Sequence, residues 1–230
     1  MTIRIFVPRD STAVALGADD VASAIATEAL RRKLDVQIVR NGTRGLLWLE
    51  PLVEVETVAG RIGYGAIDAD DVAALFEAGF HLGVCTHSTS IGLVEEFPYL
   101  KKQQRLTFAR SGITDPVSLA DYEAHGGYEG LRLALTLSGA AIVDILIESG
   151  LRGRGGAAFP TGIKWKTVLN AAAQQKYVVC NADEGDSGTF ADRIIMEGDP
   201  FVLIEGMTIA AVAVGASKGY IYVRSEYPHA

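Results

Sequence analysis

The stretch SGLRGRGGAAFPTGIKWK, residues 149–166, decides which kind of α/β fold the second half of this chain can adopt. This glycine-rich loop holds five glycines and four cationic side chains but no carboxylate, in a 230-residue chain whose formal net charge is −7. Glycine lets the backbone take positive φ and approach a ligand closely. Backbone N–H groups exposed in this way, followed by the start of a helix, form a phosphate cradle. We therefore interpret the loop as a binding site for a phosphorylated cofactor.

The context of the glycine-rich loop excludes the two commonest nucleotide-binding motifs. Residues 153–158 match G-x-G-x-x-A, but a helix is predicted before them, whereas the dinucleotide fingerprint follows a strand. No G-K-[ST] follows at the spacing of a P-loop. The flanking helices are predicted over residues 140–149, ended by Gly150, and from a Thr161 cap to about Gln174. A flexible surface loop whose arginines meet solvent or a partner protein is the alternative interpretation.

A second polar loop, the acidic loop, covers residues 181–193 and reads NADEGDSGTFADR. It follows KYVVCNA, which we expect to be a buried strand, and ligands of α/β sheets usually lie where strands end. Its amide and carboxylate groups suit hydroxyls and polar ring edges but suit phosphate badly. The two loops are therefore expected to hold opposite ends of one cofactor. A Mg²⁺ or Ca²⁺ site, or a solvated turn that caps the next helix, are the alternatives.

Composition restricts the class of protein further. The chain is 49% hydrophobic and 21% charged, which is typical of a soluble globular protein, and its acidic balance argues against nucleic-acid binding. The longest apolar run, at residues 206–216, is too short to span a membrane and predicts a buried helix, and no signal peptide is evident. Cys85 and Cys180 alone cannot build a disulfide framework, an iron–sulfur cluster or a Cys-rich zinc site. We expect a cytoplasmic protein.

Three regions are predicted along the chain, and together they indicate an α/β fold class. Residues 1–79 predict the order β-α-β-β-β-α, a small layered domain, with Asp19 as the cap of its first helix and a hairpin around Ala59 and Gly60. Residues 80–125 have weak periodicity and predict a linker or extended arm. Residues 126–230 carry both loops and a further strand, GYIYVR.

Four segments resemble the NADH- and FMN-binding flavoprotein subunit of complex I-type NADH dehydrogenases. They are SGLRGRGGAAFPTGIKW, CNADEGDSGTFADR, GDPFVLIEGM and GYIYVRSEYP. The same module occurs in NAD-reducing hydrogenases and NAD-dependent formate dehydrogenases. QQRLTFARSGITDPVSLADYEAHGGYEGLR resembles the formate dehydrogenase beta subunit more than the respiratory subunit. Residues 1–79 resemble the degenerate thioredoxin-like domain of some beta subunits; no cysteine occurs in DSTAVALGADD and NGTRGLL, the loops that hold a [2Fe-2S] cluster in relatives, so we expect no cluster.

The resemblance also implies which residues hold the cofactors, FMN and NAD. The phosphate and ribityl chain of FMN would be wrapped by the glycine-rich loop, namely by Gly153, Arg154, Gly155 and Gly156. Lys164 would lie near the same end of the cofactor. No side chain is implied to act as a catalytic acid or base, because the flavin performs the chemistry.

The acidic loop would hold the other end of the flavin through Asn181, Asp183 and Glu184, by the same resemblance. Phe159 would stack against the nicotinamide nucleotide. Asp186 stands where respiratory relatives carry a glutamate that contacts NADH, and its shorter side chain leaves that contact in doubt.

The implied reaction is reversible hydride transfer between nicotinamide and flavin, followed by single-electron steps to iron–sulfur clusters of partner subunits. In the formate dehydrogenase interpretation, formate is oxidised at a molybdenum cofactor on a catalytic partner subunit. The family continues past YVRSEYP with the rest of the flavin pocket and a [4Fe-4S] cluster, so we expect an N-terminal part or truncation that is inactive alone. A respiratory or hydrogenase NADH-oxidising subunit, a non-catalytic assembly chain and a Mg²⁺-dependent nucleotide enzyme remain alternatives.

Overall fold

Two sheets of different size form in the computed structural model, which describes residues 2–230. The larger sheet has the strand order β2-β1-β3-β4-β5 and consists of β1 (Ile3–Phe6), β2 (Val36–Val39), β3 (Val53–Thr57), β4 (Gly60–Tyr64) and β5 (Ser90–Leu93). β1 and β2 are parallel, and the other neighbours are antiparallel. The smaller sheet pairs β6 (Tyr177–Ala182) with β7 (Lys218–Val223) in parallel. The predicted mixed α/β class is confirmed.

Helices connect these strands in the order that the sequence predicts for most of the chain. They are α1 (Ser11–Ala15), α2 (Ala18–Arg31), α3 (Val72–Glu77), α4 (Pro98–Lys101), α5 (Leu119–Ala124), α6 (Glu129–Ala134), α7 (Gly139–Ser149), α8 (Thr161–Asn170), α9 (Ala191–Gly198) and α10 (Pro200–Val214). Short 3-10 turns occur at Leu47–Leu49, Ala69–Asp71, Phe80–Leu82 and Val94–Glu96. Within residues 2–230, no helix combines the length and the apolar character needed to cross a bilayer.

The chain divides into two compact units. The first unit comprises residues 2–121 and 194–199 with His229, and the second comprises residues 122–193 and 200–228 with Ala230. The first unit therefore extends well beyond the predicted domain boundary at residue 79. Residues 80–125, predicted as a linker or arm, contain β5, whose Leu93 pairs with Ile62 of β4. A four-residue edge strand is too short to show a clear alternation of apolar and polar residues.

Local interactions in the first unit explain its element boundaries. The predicted hairpin is confirmed, with Thr57 opposite Gly60 and the Thr57 hydroxyl donating to the Gly60 carbonyl at 2.7 Å. The prediction that Asp19 caps the first long helix is wrong, because Gly17 occupies the N-cap position and Asp19 lies in the first turn. A carboxylate stabilises either position, through a capping hydrogen bond or through the helix dipole, so sequence alone does not separate them.

The second unit has a small core and an exposed sheet. Its buried hydrophobic cluster is formed by residues of α6, α7 and α10, namely Ala134, Ile142, Val143, Ala213 and Val214. Thr161 is the first residue of α8 rather than its cap, and α8 ends at Asn170 rather than near Gln174. The prediction that KYVVCNA is buried is wrong, because its residues alternate between exposed and half-buried up to Ala182. Burial of such a strand depends on what packs against it, and an apolar sequence does not specify that partner.

Candidate functional site

The glycine-rich loop is closed at its base by backbone pairing. Arg152 and Pro160 form an isolated β-bridge, and the Gly153 N–H donates to the Phe159 carbonyl at 2.9 Å. Gly156 has a φ of +93°, and Ala158 has a φ of +50°, a left-handed conformation that side chains rarely adopt. Backbone strain of this kind is concentrated at binding sites. The loop therefore has a defined conformation in which most of its backbone faces outward.

A pocket of about 350 Å³ opens beside this loop at the start of α8. Its walls come from the loop, α8 and β6, and the residues are Gly153, Gly155, Ala157, Ala158, Phe159, Thr161, Lys164, Trp165 and Val179. Thr161, Lys164 and Trp165 share one face of α8, because helical residues three and four apart are neighbours. The volume is within the range of small-molecule sites.

The pocket has the donors that an anionic phosphate needs. Lys164 is the one charged side chain in its wall, no carboxylate lines it, and α8 directs its N-terminal N–H groups to this end. A Cβ atom at Gly155 would meet no atom within 4 Å, so this glycine leaves open space for a ligand to approach the backbone. Phe159 and Trp165 supply aromatic faces. These residues fit a phosphorylated cofactor with an aromatic ring.

β6 connects this pocket to the acidic loop. Val179 lines the pocket, and Asn181 lies two residues further along the same strand. Alternate residues of a strand point to the same face and lie roughly 7 Å apart. Asn181 therefore stands on the strand face that borders the pocket. Its Oδ1 accepts a hydrogen bond from the Asp183 N–H at 3.0 Å, which orients the amide.

Glu184 makes internal contacts that organise the acidic loop. Its two carboxylate oxygens accept from the N–H groups of Asp192 and Arg193 at 3.0 and 3.2 Å, at the start of α9. Arg224 donates to the Glu184 carbonyl, and burial, followed by a hydrogen bond with Glu184, raises the pKa of Tyr227. Glu184 thus caps the next helix, α9, which was one of the alternative interpretations of the acidic loop. Both carboxylate oxygens of Glu184 therefore help to position the loop.

Negative charge accumulates where β6 ends. Burial, followed by the charge of Glu184, raises the pKa of the Asp192 carboxyl. Burial, followed by the charge of Asp192, raises the pKa of the Cys180 thiol, so this cysteine stays protonated and unreactive near neutral pH. The carboxylates of this loop favour ligand groups that donate hydrogen bonds.

The structure brings together part of the predicted site. Of the predicted residues, Gly153, Gly155, Phe159 and Lys164 line the pocket. Arg154 and Gly156 lie in the same loop outside its wall. Asn181 lies on β6, and Asp183, Glu184 and Asp186 follow that strand; none of the four lines the pocket. In residues 2–230 no three His, Cys, Asp or Glu side chains converge as metal ligands.

Sequence reasoning missed five wall residues, namely Ala157 and Ala158 in the glycine-rich loop and Thr161, Trp165 and Val179 beyond those two alanines. Thr161 and Trp165 were not assigned to the site, although their spacing from Lys164 on a predicted helix is a signal that could have identified them. Val179 carries no such signal, because a valine in a strand indicates only packing.

Comparisons with known proteins agree with this geometry. Residues 146–230, which contain both loops, match the family model of the Nuo51 FMN-binding domain. The chain is 54% identical over 128 residues to the NADP-reducing hydrogenase subunit HndC of Solidesulfovibrio fructosivorans, covering 56% of this chain and 26% of that protein. It is 55% identical over 116 residues to an NADH-quinone oxidoreductase subunit of Rhizobium meliloti (strain 1021), covering 50% and 28%.

A crystal structure of an NAD⁺-reducing [NiFe]-hydrogenase aligns with 99% of this chain and 38% of its own, with 23% identity and a TM-score of 0.44. The chain spans about a quarter of the length of the curated relatives it matches, 26% and 28% of the two above.

Proposed function

We propose that this chain is the FMN- and NAD(H)-binding flavoprotein part of a multi-subunit, NAD-dependent oxidoreductase. The pocket beside the glycine-rich loop is the observation that carries the proposal, because it lies inside the segment matched to an FMN-binding domain. Within this class we assign the chain to an NAD-reducing formate dehydrogenase. That assignment is supported by the similarity of residues 103–132 to the formate dehydrogenase beta subunit.

The phosphate end of FMN is assigned to the glycine-rich loop. Gly153 and Gly155 let the ligand approach the backbone, and the N–H groups at the start of α8 face it. Lys164 contributes the charge that compensates the phosphate. Arg154, exposed in the same loop, adds positive potential that attracts an anion to this face of an acidic protein.

The polar rim of the flavin is assigned to the acidic loop. Asn181 stands on the strand face that borders the pocket and offers an amide, which both donates and accepts hydrogen bonds. Glu184 acts on the cofactor through the loop that it holds in place. Phe159 is assigned to the nicotinamide nucleotide, which would stack on its exposed ring, 50% accessible to solvent.

When bound, FMN supplies electron exchange between a nicotinamide dinucleotide and one-electron carriers such as the iron–sulfur clusters of partner subunits. The residues of this chain bind and orient the cofactor. We assign the first unit to the thioredoxin-like class without a cluster. Its sheet order β2-β1-β3-β4-β5, with one parallel pair, supports this.

The experiment that tests the proposal measures FMN affinity by quenching of flavin fluorescence in the protein purified with its partner chains and stripped of flavin. Lys164→Met removes a charge-assisted contact with phosphate and is expected to weaken FMN binding roughly 10- to 100-fold. Lys166→Met is the matched control, because Lys166 is exposed on the same helix and does not line the pocket. It is expected to change the affinity less than about twofold.

Two results would contradict the proposal: purified protein that neither carries nor binds FMN, or equal losses in the two lysine variants. Mass spectrometry of the co-purified subunits tests the finer assignment. A molybdenum-containing partner supports a formate dehydrogenase. A nickel-containing or a membrane-bound quinone-reducing partner supports the hydrogenase or respiratory alternative instead.

A further inference from the structure

Three buried side-chain oxygens in the first unit have no hydrogen-bond partner. They are Asp10 Oδ2, Asn41 Oδ1 and Ser111 Oγ, on residues that are 3%, 1% and 2% exposed. An unpaired buried polar atom costs free energy, so native proteins supply a partner, which includes bound water and ions. Three such atoms in one region require a common explanation.

Backbone and side-chain hydrogen bonds show that these oxygens belong to adjoining loops. The Arg9 N–H donates to the Asn41 carbonyl at 2.9 Å, which places Asp10 beside Asn41. The Asn41 Nδ2 donates to the Gly112 carbonyl at 2.7 Å, which places Ser111 beside the same asparagine. The three loops meet beyond the carboxyl ends of β1 and β2.

The other polar side-chain atoms of Asp10 and Asn41 already form hydrogen bonds, so only the free oxygens are available to a ligand. Asp10 Oδ1 accepts from the N–H groups of Thr12 and Ala13 and caps α1, so only Oδ2 is available. The amide nitrogen of Asn41 is used, so its oxygen remains. Carboxylate, amide and hydroxyl oxygens are the ligands that Mg²⁺ and Ca²⁺ prefer.

The surrounding charge is negative and uncompensated. Two other carboxylates, Glu197 and Glu50, lie within electrostatic range of Asp10. Among the described residues Asp10, Glu50 and Glu197 form no ion pair, and Glu197 is held by the N–H and hydroxyl of Ser11 at 2.8 and 2.5 Å. The nearby arginines pair with other carboxylates, Arg44 and Arg61 with Glu54 and Arg110 with Asp199.

We propose that Asp10, Asn41 and Ser111 bind a divalent hard cation, Mg²⁺ or Ca²⁺, with water in its other coordination positions. The cation gives partners to the three free oxygens and offsets the negative charge of Asp10 and Glu197. Its structural effect is to fasten the loop after β1, the loop after β2 and the segment around Ser111 to one another. The site shares no residue with the flavin pocket, so this proposal does not depend on the proposed function.

The test is titration of the chelator-treated chain with MgCl₂ and with CaCl₂, followed by calorimetry and by the midpoint of thermal unfolding. One saturable site and a rise in the unfolding midpoint are expected for one of the two ions, with KCl at equal ionic strength as the reference. Asp10→Asn keeps the helix cap, since asparagine caps as well as aspartate, and is expected to weaken binding at least tenfold. Asparagine also removes a buried negative charge, so the metal-free variant should be at least as stable as the metal-free wild type.

Ser111→Ala is the second variant, expected to weaken binding severalfold without touching the helix cap. Asp70→Asn, which removes an exposed carboxylate from the same unit, is the matched control and should bind as wild type does. The proposal is overturned if KCl stabilises the protein as much as the divalent ions do, which indicates screening alone. It is also overturned if no saturable binding occurs, which leaves ordered water as the partner of these oxygens, or if Asp10→Asn and Ser111→Ala bind like wild type.

Discussion

The two units use apolar residues in opposite ways. In the first unit seventeen buried residues of the sheet and helices form one hydrophobic cluster, whereas the buried cluster of the second unit has five. The second unit instead exposes large side chains on its sheet, among them Val179, Tyr220 and Tyr222 at 64%, 56% and 63%. Binding elements are drawn from the less stable parts of proteins. The comparison indicates that the first unit provides stability, while the second leaves surface open for ligands and partners.

The two units also differ in where the charged groups described here lie, which are buried and paired in the first unit and exposed in the second. The first unit buries Glu54, 1% exposed, with Arg44 at 2.8 Å and Arg61 at 3.3 Å. The second unit presents Arg154 and Lys164 on exposed positions of the glycine-rich loop. Buried charge is costly unless paired, whereas exposed charge remains available to an incoming ligand. Each prediction below tests one side of this contrast. Tryptophan fluorescence can follow the unfolding of each unit, since Trp48 lies in the first unit and Trp165 in the second.

The largest effect is expected from Glu54→Ala. Removing this carboxylate leaves two arginines without their buried partner and should lower the free energy of unfolding by about 4 kcal/mol. Urea unfolding followed by Trp48 fluorescence, in a Trp165→Phe background, measures it. Glu56→Ala on the same strand breaks the exposed pair with Arg4 and should cost less than about 1 kcal/mol. Similar losses in the two variants would show that burial of charge does not distinguish this unit.

A pH-dependent effect is expected from Glu50→Gln. Burial, opposed by the hydrogen bond from Thr43 and reinforced by the charge of Asp10, raises the pKa of Glu50 from 4.5 to about 7. The folded protein therefore holds this proton up to a higher pH than the unfolded chain does. Its contribution to stability is complete below pH 4.5 and is lost as the pH rises through about 7. Glutamine imitates the protonated form and should remove this loss, which amounts to about 3 kcal/mol at pH 8.

Urea unfolding at pH 5 and pH 8, with chelator present so that bound metal does not contribute, measures the difference between wild type and Glu50→Gln. Glu77→Gln, at an exposed position, is the control and should show no such difference in pH dependence. If Glu50→Gln changed the free energy of unfolding equally at both pH values, the raised pKa of Glu50 would be contradicted.

A smaller loss is expected in the core of the second unit. Val143→Ala deletes two methyl groups from a residue that is 1% exposed and should cost about 2 kcal/mol. Trp165 fluorescence in a Trp48→Phe background reports it. Without further substitution, this background should already unfold at lower urea than the Trp165→Phe background followed by Trp48. Ile145→Ala, on the same helix but 50% exposed, should cost under about 1 kcal/mol. Coincident unfolding by both probes would refute the difference in stability between the units.

The smallest effect on stability is expected from Gly155→Ala in the glycine-rich loop. Its Cβ meets no atom within 4 Å, so the free energy of unfolding should change by less than about 0.5 kcal/mol. If the pocket binds FMN, the same methyl group stands in the ligand's path and should weaken binding at least roughly tenfold. Gly206→Ala on α10, which also meets no atom within 4 Å, is the control and should leave FMN affinity unchanged. Unaltered FMN affinity in Gly155→Ala would place the cofactor elsewhere.

Much of the local structure was predictable because it depends on neighbours in the chain. The hairpin at Gly60 and the end of α7 at Gly150, which has a φ of +67°, follow from turn and cap preferences that act over a few residues. The glycine-rich loop was identified for the same reason, because its glycines and cations are contiguous. The resemblance to a known family implied that Lys164 lies near the phosphate end of FMN, and the structure shows Lys164 in the pocket wall.

Other features depended on residues far apart in the sequence. β6 is exposed because, within residues 2–230, no layer covers one face of its two-stranded sheet. The apolar residues of KYVVCNA do not indicate whether such a layer is present. Glu184 is a capping residue because Asp192 and Arg193 turn back toward it.

The sequence by itself determined the α/β class, the turns and the chemical character of the two loops, because backbone preference and side-chain charge are properties of single residues and their neighbours. Only the tertiary structure decided which polar atoms are buried together, as for Asp10, Asn41 and Ser111, drawn from three loops. Burial and electrostatic coupling depend on distances in space, and residues separated by tens of positions acquire those distances only when the chain packs.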